Sequence, residues 1–190
     1  VAVRELNHRV KNNLQIVASL LRLQARRVDN EETKKVLNET ISRILSISVT
    51  HQLLSQTGED RVSLMEVLRT VKNNAIQPFL KPELKLNLEL QGDDIIVDTD
   101  IASSVALTVN ELLQNSMRHA FDGRREGTIF IIVERGNAYS KLTVRDDGMG
   151  FDTENTRAGS LGLDIVRSVV QDKLHGKLRI RSGESGTSVS

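Results

Sequence analysis

Apolar residues recur at helical spacing along the first thirty positions. They follow steps of four, three, four and seven, and they are Val10, Leu14, Val17, Leu21 and Val28. This heptad-like stripe predicts an amphipathic helix that ends at about Arg27. The first proline comes only at position 78, so nothing in this part of the chain interrupts a helix.

A second helix is predicted directly after the first. Either Asp29 or Asn30 caps it, and two glutamates occupy its first turn. Its apolar face continues to about Leu54 through Leu37, Ile41, Ile44 and Leu45. Two long helices with a short connection form an antiparallel hairpin. Either a second copy completes a four-helix bundle on its apolar face, which we favour, or the hairpin packs on the rest of the chain.

The periodic pattern stops at Thr57-Gly58, where we expect a linker. After it, Ser63 and Glu66 have the spacing of a capping box, in which each side chain accepts a hydrogen bond from the other residue's backbone N–H. The helix that they start is expected to end near Ile76, before Gln77-Pro78.

Strands and helices alternate in the remaining chain. Alternating leucines predict a strand over 86–90, and Asp100 is expected to cap a helix over 101–119. Two β-rich runs around a Gly136-Asn137 turn predict an antiparallel pair, and a helix over 161–174 ends before Gly176. Further strands are expected over 177–181 and from Thr187. The pattern predicts an α + α/β chain: a helical hairpin, then an α/β sandwich with helices on one face of a mixed sheet.

Composition removes several classes of protein. Twenty-six basic and 25 acidic side chains leave a net charge of +1, and only 3% of residues are aromatic, so we expect no nucleic-acid partner. The absence of cysteine excludes disulfides and zinc-finger clusters and suits the cytoplasm. No stretch is apolar enough to span a bilayer and no signal peptide is visible. We expect a fragment of a longer protein, because the chain begins inside a periodic pattern.

Three short stretches carry candidate chemistry. In NELLQNSMRHAF (110–121), Glu111, Asn115 and His119 share a helix face, and an amide oxygen suits Mg²⁺, although such a stripe is often only solvated. In VRDDGMGF (144–151), two glycines follow Asp146 and Asp147, either of which offers a carboxylate; an ordinary turn is the alternative. In AGSLGLDIVRSVV (158–170), glycines precede a helix whose N-terminus suits a phosphate, or simply begin the helix.

The order of these stretches resembles the GHKL ATPase superfamily, whose nucleotide-binding fold is also called the Bergerat fold. With ELNHRVKNNLQ at residues 5–15, nearly the whole chain resembles a sensor histidine kinase. It is most similar to the group whose phosphoacceptor helix reads His-Arg-x-Lys-Asn, close to the HWE kinases. The front motif is highly specific, whereas the others are shared across the superfamily.

The resemblance implies that His8 accepts the γ-phosphoryl group of ATP. A neutral imidazole is nucleophilic near pH 7, which suits this role. The other histidines, His51, His119 and His175, lack the motif. Residues 1–58 would then form the dimerisation and phosphotransfer hairpin, and residues 59–190 the catalytic ATP-binding domain.

For the ATP side, the resemblance implies a contact for each part of the nucleotide. Asn115 matches the Mg²⁺ ligand, Glu111 its polar partner and His119 the position that faces the phosphates. Asp146 matches the aspartate that accepts the adenine amino proton, supported by Thr187. The remaining matches are glycines and one leucine of the turn and phosphate loops: Gly148, Gly150, Gly159, Leu161 and Gly162.

The implied partners are a second copy of the chain, bound through the hairpin, and a response-regulator receiver domain that takes the phosphoryl group from His8. The catalytic domain would swing on the Thr57-Gly58 linker to reach His8. An upstream sensor domain is expected outside this chain.

The sequence departs from its relatives close to the histidine. The commonest histidine kinases carry an acidic residue directly after it, where this chain has Arg9, so we expect Glu5 to serve as the base. Asn12, four residues after His8, is expected to orient a water for phosphatase activity. The chain has no tryptophan, whereas strict HWE kinases carry a Trp-Glu pair.

Three other functions stay open at this point. One is a dimeric module gated by nucleotide that transfers no phosphoryl group. Another is an anti-sigma-type serine kinase, which lacks the histidine-bearing hairpin. The third is a chaperone or topoisomerase ATPase, which is larger and lacks the front helices.

Overall fold

The computed structural model describes residues 2–57, 61–76, 85–121, 124–150 and 161–190. The chain divides into two compact units, Val1–Asp60 and Arg61–Ser190. Among the described helices, none has the length and apolar character that crossing a membrane requires.

The first unit is the predicted pair of helices, α1 (Ala2–Arg27) and α2 (Glu31–Thr57), which pack against each other. The choice of cap falls on Asn30, because its Oδ1 accepts a hydrogen bond from the N–H of Thr33 at 2.9 Å. Thr57 is the last residue of α2, and Gly58 of the predicted linker lies outside the described residues.

The packed face of α1 differs in part from the predicted stripe. Leu14, Leu21 and Val28 are half-buried, but Val17 is 44% exposed, and the residues buried most deeply between the helices include Ala18 and Ala25. A second apolar row is exposed on α1 and consists of Ile16, Val17, Leu20 and Leu23. One helical hairpin therefore buries only part of the apolar surface of α1.

The second unit contains seven strands and three α-helices in its described residues. They are β1 (Arg61–Ser63), α3 (Leu64–Ile76), β2 (Lys85–Gly92), β3 (Ile96–Asp98), α4 (Thr99–His119), β4 (Glu126–Glu134), β5 (Lys141–Asp146), α5 (Leu161–Ser168), β6 (Ile180–Gly183) and β7 (Gly186–Val189). Five strands form one sheet in the order β2-β4-β5-β7-β6, and β1 pairs with β3. Only β2 and β4 are parallel, which confirms the mixed sheet.

One face of the sheet supplies the core of this unit. Gly127, Ile129, Ile131 and Val133 of β4 are buried and alternate with half-buried residues, as a strand with one covered face requires. Leu68 of α3 and Leu113 of α4 are fully buried as well, and α3, α4 and α5 pack side by side. The predicted α/β sandwich is confirmed.

Several predicted details are wrong. Asp100 does not cap α4, because the helix begins at Thr99 and Asp100 lies inside its first turn. The strands β1 and β3 were not predicted, since three residues are too short to carry a periodic pattern. The predicted helix over 161–174 is α-helical only to Ser168 and continues as a π-helical turn, Val169–Lys173.

The predicted capping box at α3 forms in one direction and gains a distant partner. Ser63 Oγ accepts a hydrogen bond from the N–H of Glu66 at 3.2 Å, as expected. The same hydroxyl lies 2.9 Å from Oδ1 of Asp94 and donates to that carboxylate, whose Oδ1 also accepts from the N–H of Met65 at 3.3 Å. Asp94 therefore ties the segment between β2 and β3 to the start of α3.

Candidate functional site

Asp146 is the centre of the candidate site. It ends β5, the middle strand of the sheet, and its side chain is buried, with 4% of the residue exposed. Its Oδ1 accepts hydrogen bonds from the backbone N–H groups of Gly148 at 3.0 Å and Thr187 at 3.1 Å. Its Oδ2 accepts from the Ser116 hydroxyl at 2.8 Å. A buried carboxylate requires such partners, and here they come from a turn, a strand and a helix.

The neighbouring Asp147 has a different role. It is exposed, and its Oδ1 accepts the N–H of Thr128 at 2.8 Å, while its own N–H donates to the Thr128 carbonyl at 3.2 Å. Arg124 donates to the Asp147 carbonyl at 2.7 Å. Asp147 therefore fastens the end of β5 to the start of β4, and the carboxylate aimed into the site is that of Asp146.

The two turn glycines allow close packing around Asp146. A Cβ atom at Gly148 would overlap the Cβ and carbonyl oxygen of Ala120, directly after α4. Gly150 has a φ of 67°, and a Cβ there would overlap the carbonyl oxygen of Gly183. Both positions require glycine for space, and Gly150 also for its backbone conformation. The turn is therefore held against the end of α4 and the end of β6.

Thr187 supports Asp146 through its backbone rather than through its hydroxyl. Its N–H donates to Asp146, while its hydroxyl shares a 2.8 Å hydrogen bond with the hydroxyl of Ser182. The preceding Gly186 has a φ of 116°, and a Cβ there would overlap the Asp146 carbonyl oxygen. The Gly186-Thr187 pair thus brings β7 against β5 at the site.

The predicted polar row on α4 runs from the core to the surface. Glu111 is 1% exposed, Asn115 is half-buried and His119, the last residue of the helix, is exposed. Asn115 directly precedes Ser116, whose hydroxyl bonds to Asp146. The fold therefore brings this part of α4 together with Asp146, Gly148 and Thr187.

The donor set of this site fits a magnesium ion that is held mainly by phosphate oxygens. Among the described residues, no group of three or more histidine, cysteine, aspartate or glutamate side chains is arranged to hold a metal. Mg²⁺ usually takes one or two protein oxygens and completes its octahedral shell with phosphates and water. The amide oxygen of the half-buried Asn115 is suited to be one such ligand.

The predicted phosphate loop is described only at its end. Leu161 and Gly162 are the first two residues of α5, and Gly162 is buried. The side chain of Leu161 and the whole of Gly159 lie outside the described residues.

The predicted phosphoacceptor region lies in the first unit. Positions 5 and 8 belong to α1, but the side chains of Glu5 and His8 lie outside the described residues. Asn12 is exposed and lines a shallow groove along α1, together with Gln15, Ile16, Ser19, Leu20 and Leu23.

Ser116 is the contributor to the site that sequence reasoning missed. Its hydroxyl reaches a carboxylate 30 positions further along the chain. A serine after an asparagine in a helix carries no local signal, because the contact depends on how α4 lies against β5. The roles of Arg124 and Thr128 around Asp147 were missed for the same reason.

Two families of known domains match the chain and together cover most of it. Residues 5–79 match a domain family described as histidine kinase, and residues 100–190 match the family of histidine kinase-, DNA gyrase B- and HSP90-like ATPases. The second match implies a site for ATP in the unit that contains Asp146.

Two curated relatives of the chain are named as histidine kinases. The chain is 39% identical over 98% of its length to the sensor histidine kinase PdtaS of Mycobacterium tuberculosis, and it covers 38% of that protein. It is 27% identical over 98% of its length to the blue-light-activated histidine kinase 2 of Erythrobacter litoralis, of which it covers 55%. The chain thus spans about two fifths to about half of the length of these relatives.

Solved structures support the fold. The histidine kinase domain of the Erythrobacter litoralis EL346 blue-light-activated histidine kinase aligns over 98% of this chain and 88% of its own, with a TM-score of 0.69 and 25% identity. A longer EL346 chain aligns over 99% of this chain and 57% of its own, with a TM-score of 0.72 and 26% identity.

Proposed function

Because the chain belongs to the sensor histidine kinases, we propose that it is the kinase core of a two-component system. In this proposal it phosphorylates its own His8 with ATP and passes the phosphoryl group to an aspartate of a response regulator. One observation carries the proposal: the buried, hydrogen-bonded Asp146 and a helix bearing the His-Arg-x-Lys-Asn motif belong to the same chain.

Asp146 recognises the adenine ring in this proposal. Its carboxylate is an acceptor only, so it pairs with the exocyclic amino group of adenine. Gly148 and Gly150 let the turn pack closely against Ala120 and Gly183, which supports the position of Asp146 beside the base. The N–H of Thr187 holds Oδ1 of Asp146 in place, which orients the carboxylate before the nucleotide binds.

The phosphates lie towards α4 and α5 in this proposal. Asn115 would hold a Mg²⁺ ion with Glu111 as its polar partner, and His119 would face the phosphates. The phosphate loop contains Gly159, Leu161 and Gly162, next to the N-terminus of α5. Bound Mg²⁺ would neutralise charge on the phosphates, which is the main electrostatic requirement of phosphoryl transfer.

His8 is the nucleophile of the proposed reaction. A nitrogen of its neutral imidazole forms a bond to the γ-phosphorus, and the bond from that phosphorus to the bridging oxygen of ADP breaks. Glu5, one helical turn before His8, is proposed as the base that takes the imidazole proton. If a Glu5→Gln variant autophosphorylates at the rate of the unaltered chain, Glu5 is not the base.

Asn12 is proposed to act in a phosphatase reaction, in which water removes the phosphoryl group from a phosphorylated receiver domain. It lies one turn after position 8 and is exposed, so its amide is accessible to a water near a docked receiver. Asn12→Ala is expected to slow dephosphorylation of a phosphorylated receiver. An unchanged rate would reject this role.

We propose that the chain forms a homodimer through its hairpin. The apolar row of Ile16, Val17, Leu20 and Leu23 is exposed along α1 beside the face that packs on α2. A four-helix bundle made by two hairpins would bury both faces. By the helical repeat, position 8 falls on the polar side of α1, which a receiver domain can reach.

An upstream sensor domain and a cytoplasmic location complete the proposal. The chain covers 38% of the PdtaS relative, which leaves room for further domains in such proteins. The proposed reaction requires ATP and a receiver domain, and both occur in the cytoplasm, so we propose that location for the chain.

The decisive experiment is autophosphorylation with γ-labelled ATP and Mg²⁺, beside a His8→Ala variant. We expect label that is labile in acid and stable in base and that is absent in His8→Ala. No label should form when EDTA is present from the start and removes the metal. His8→Ala should still bind ATP, which separates the acceptor from the nucleotide site.

Two results would contradict the kinase proposal. Label that persists in His8→Ala would place the phosphoryl group on another residue. ATP binding with no label on the unaltered chain would favour the alternative, a dimeric interaction module that nucleotide gates without phosphotransfer.

A further inference from the structure

The Ser116 hydroxyl bonds to a side chain on another element, whereas Ser104 and Thr108 of the same helix bond to the helix backbone. Ser104 and Thr108 donate to the carbonyl groups four residues earlier, at 3.0 and 2.9 Å, which is the usual local bond of a helical hydroxyl. Ser116 instead donates to Oδ2 of Asp146 at 2.8 Å. The Ser116 proton is therefore used in a hydrogen bond to Asp146, at the centre of the site.

This bond changes how many acceptor positions Asp146 has left. A carboxylate offers about four lone-pair positions, two on each oxygen. The N–H groups of Gly148 and Thr187 use two on Oδ1, and Ser116 uses one on Oδ2. One position remains, on Oδ2, and it can accept one further N–H.

The remaining position distinguishes purines by the group on carbon 6. A 6-amino group donates a proton to it, whereas a 6-oxo group brings a second acceptor against a carboxylate. Because the Ser116 proton already points to Asp146, the serine oxygen also presents only lone pairs to the ligand. A 6-oxo group thus finds no donor in this pair of side chains, and an unpaired buried acceptor is costly.

We propose that Ser116 is a positioning and specificity-determining residue of the nucleotide site. It holds the Asp146 carboxylate with one free acceptor and so enforces 6-aminopurine over 6-oxopurine nucleotides. This inference rests on the proposed ATP-binding function and assigns to Ser116 a role in base selection.

The test is the ratio of dissociation constants for ITP and ATP, measured by titration of the intact chain. Inosine differs from adenosine in having an oxo group on carbon 6. In Ser116→Ala we expect ATP to bind about tenfold more weakly and ITP to bind less than about twofold more weakly, so the ratio falls about fivefold to tenfold. Ser116→Thr keeps the hydroxyl and is expected to restore most of the ratio.

Ser104→Ala is the matched control, because it removes a hydroxyl from the same helix without touching Asp146. Its ratio should equal that of the unaltered chain. If Ser116→Ala does not fold, Ser116→Cys keeps the size and offers only a weak donor, and it must show the same fall.

An unchanged ratio in folded Ser116→Ala or Ser116→Cys overturns the role of Ser116 and leaves the kinase proposal intact. Equal losses of ATP and ITP affinity leave the ratio unchanged and count as this same result, because they indicate a purely structural residue. Failure of the unaltered chain to bind ATP overturns the proposed function itself, and this inference with it.

Discussion

The hairpin unit and the sandwich unit treat their apolar side chains in opposite ways. In the sandwich, Leu68, Leu113, Ile129 and Ile131 are fully buried. In the hairpin, the described residues of the buried core are chiefly small, such as Ala18 and Ala25, while Leu20 of α1 is 58% exposed. The sandwich completes its own core, and the hairpin keeps a large apolar row available for another surface.

This difference has a physical origin. A sheet with helices on one face encloses apolar side chains between two layers. Two helices alone share a single narrow seam, so a helix with a broad apolar arc keeps part of it in water. A fixed interior suits a site that must hold Asp146 rigidly, whereas an open row suits assembly with other chains.

The largest expected effect is on the Asp146 site of the sandwich unit. Asp146→Asn places an amide NH₂ where a carboxylate accepts three hydrogen bonds, so ATP affinity should fall about 100-fold or more. Asp147→Asn is the matched control, because its amide oxygen still accepts the Thr128 N–H. Nucleotide titration should show the control within about threefold of the unaltered chain, and equal losses would contradict the assignment of Asp146.

The same leucine-to-alanine change in each unit tests the comparison most directly. Leu113→Ala empties fully buried space and should lower the free energy of unfolding of the sandwich by about 2–5 kcal/mol in urea. Leu20→Ala should leave that transition unchanged. It should instead weaken self-association by about fivefold or more in sedimentation equilibrium, since a side chain half or more exposed in one chain becomes buried in the bundle. Self-association unaffected by Leu20→Ala would contradict the dimer proposal.

A pair of glycines sharpens the comparison inside the sandwich. Gly148→Ala forces a methyl group against Ala120 and should cost roughly 1–3 kcal/mol of stability, with weaker ATP binding. Gly183→Ala meets no neighbouring atom within 4 Å and should change stability by less than about 0.5 kcal/mol. Thermal unfolding with and without ATP measures both, and a neutral Gly148→Ala would show that the turn is not tightly packed.

The smallest expected effects compare one helix cap from each unit. Asn30→Ala removes a single exposed capping bond to Thr33 and should cost about 1 kcal/mol or less in the hairpin. Ser63→Ala also removes the donor to Asp94, so it should cost about 1–2 kcal/mol in the sandwich. Urea unfolding followed by circular dichroism measures the stability loss of each variant. A larger loss for Asn30→Ala than for Ser63→Ala would contradict this prediction.

The periodic elements of the fold were predictable from the sequence. The helix pair, α3, α4 and the β4-β5 pair follow from repeats of about 3.6 and 2 residues, with ends marked by Asn30, Ser63 and the proline after α3. The three-residue strands β1 and β3 were not, because so short a segment has no measurable period. The π-helical turn after Ser168 was not either, since its apolar spacing passes for that of an α-helix.

The sequence by itself determined which residues are candidates for the chemistry: the His-Arg-x-Lys-Asn run, the asparagine-bearing helix and the aspartate-glycine turn are local patterns. The resemblance already matched Asp146 to the base site, but only the tertiary structure showed that Asp147 bonds to Thr128 instead. The tertiary structure also gave Thr187 a backbone role and joined Ser116 to the site. It also left the Ile16, Leu20 and Leu23 row of α1 uncovered within one chain. The reason is physical: local patterns report periodicity and backbone needs, whereas hydrogen bonds between distant segments and burial of a helix face depend on how complete elements pack.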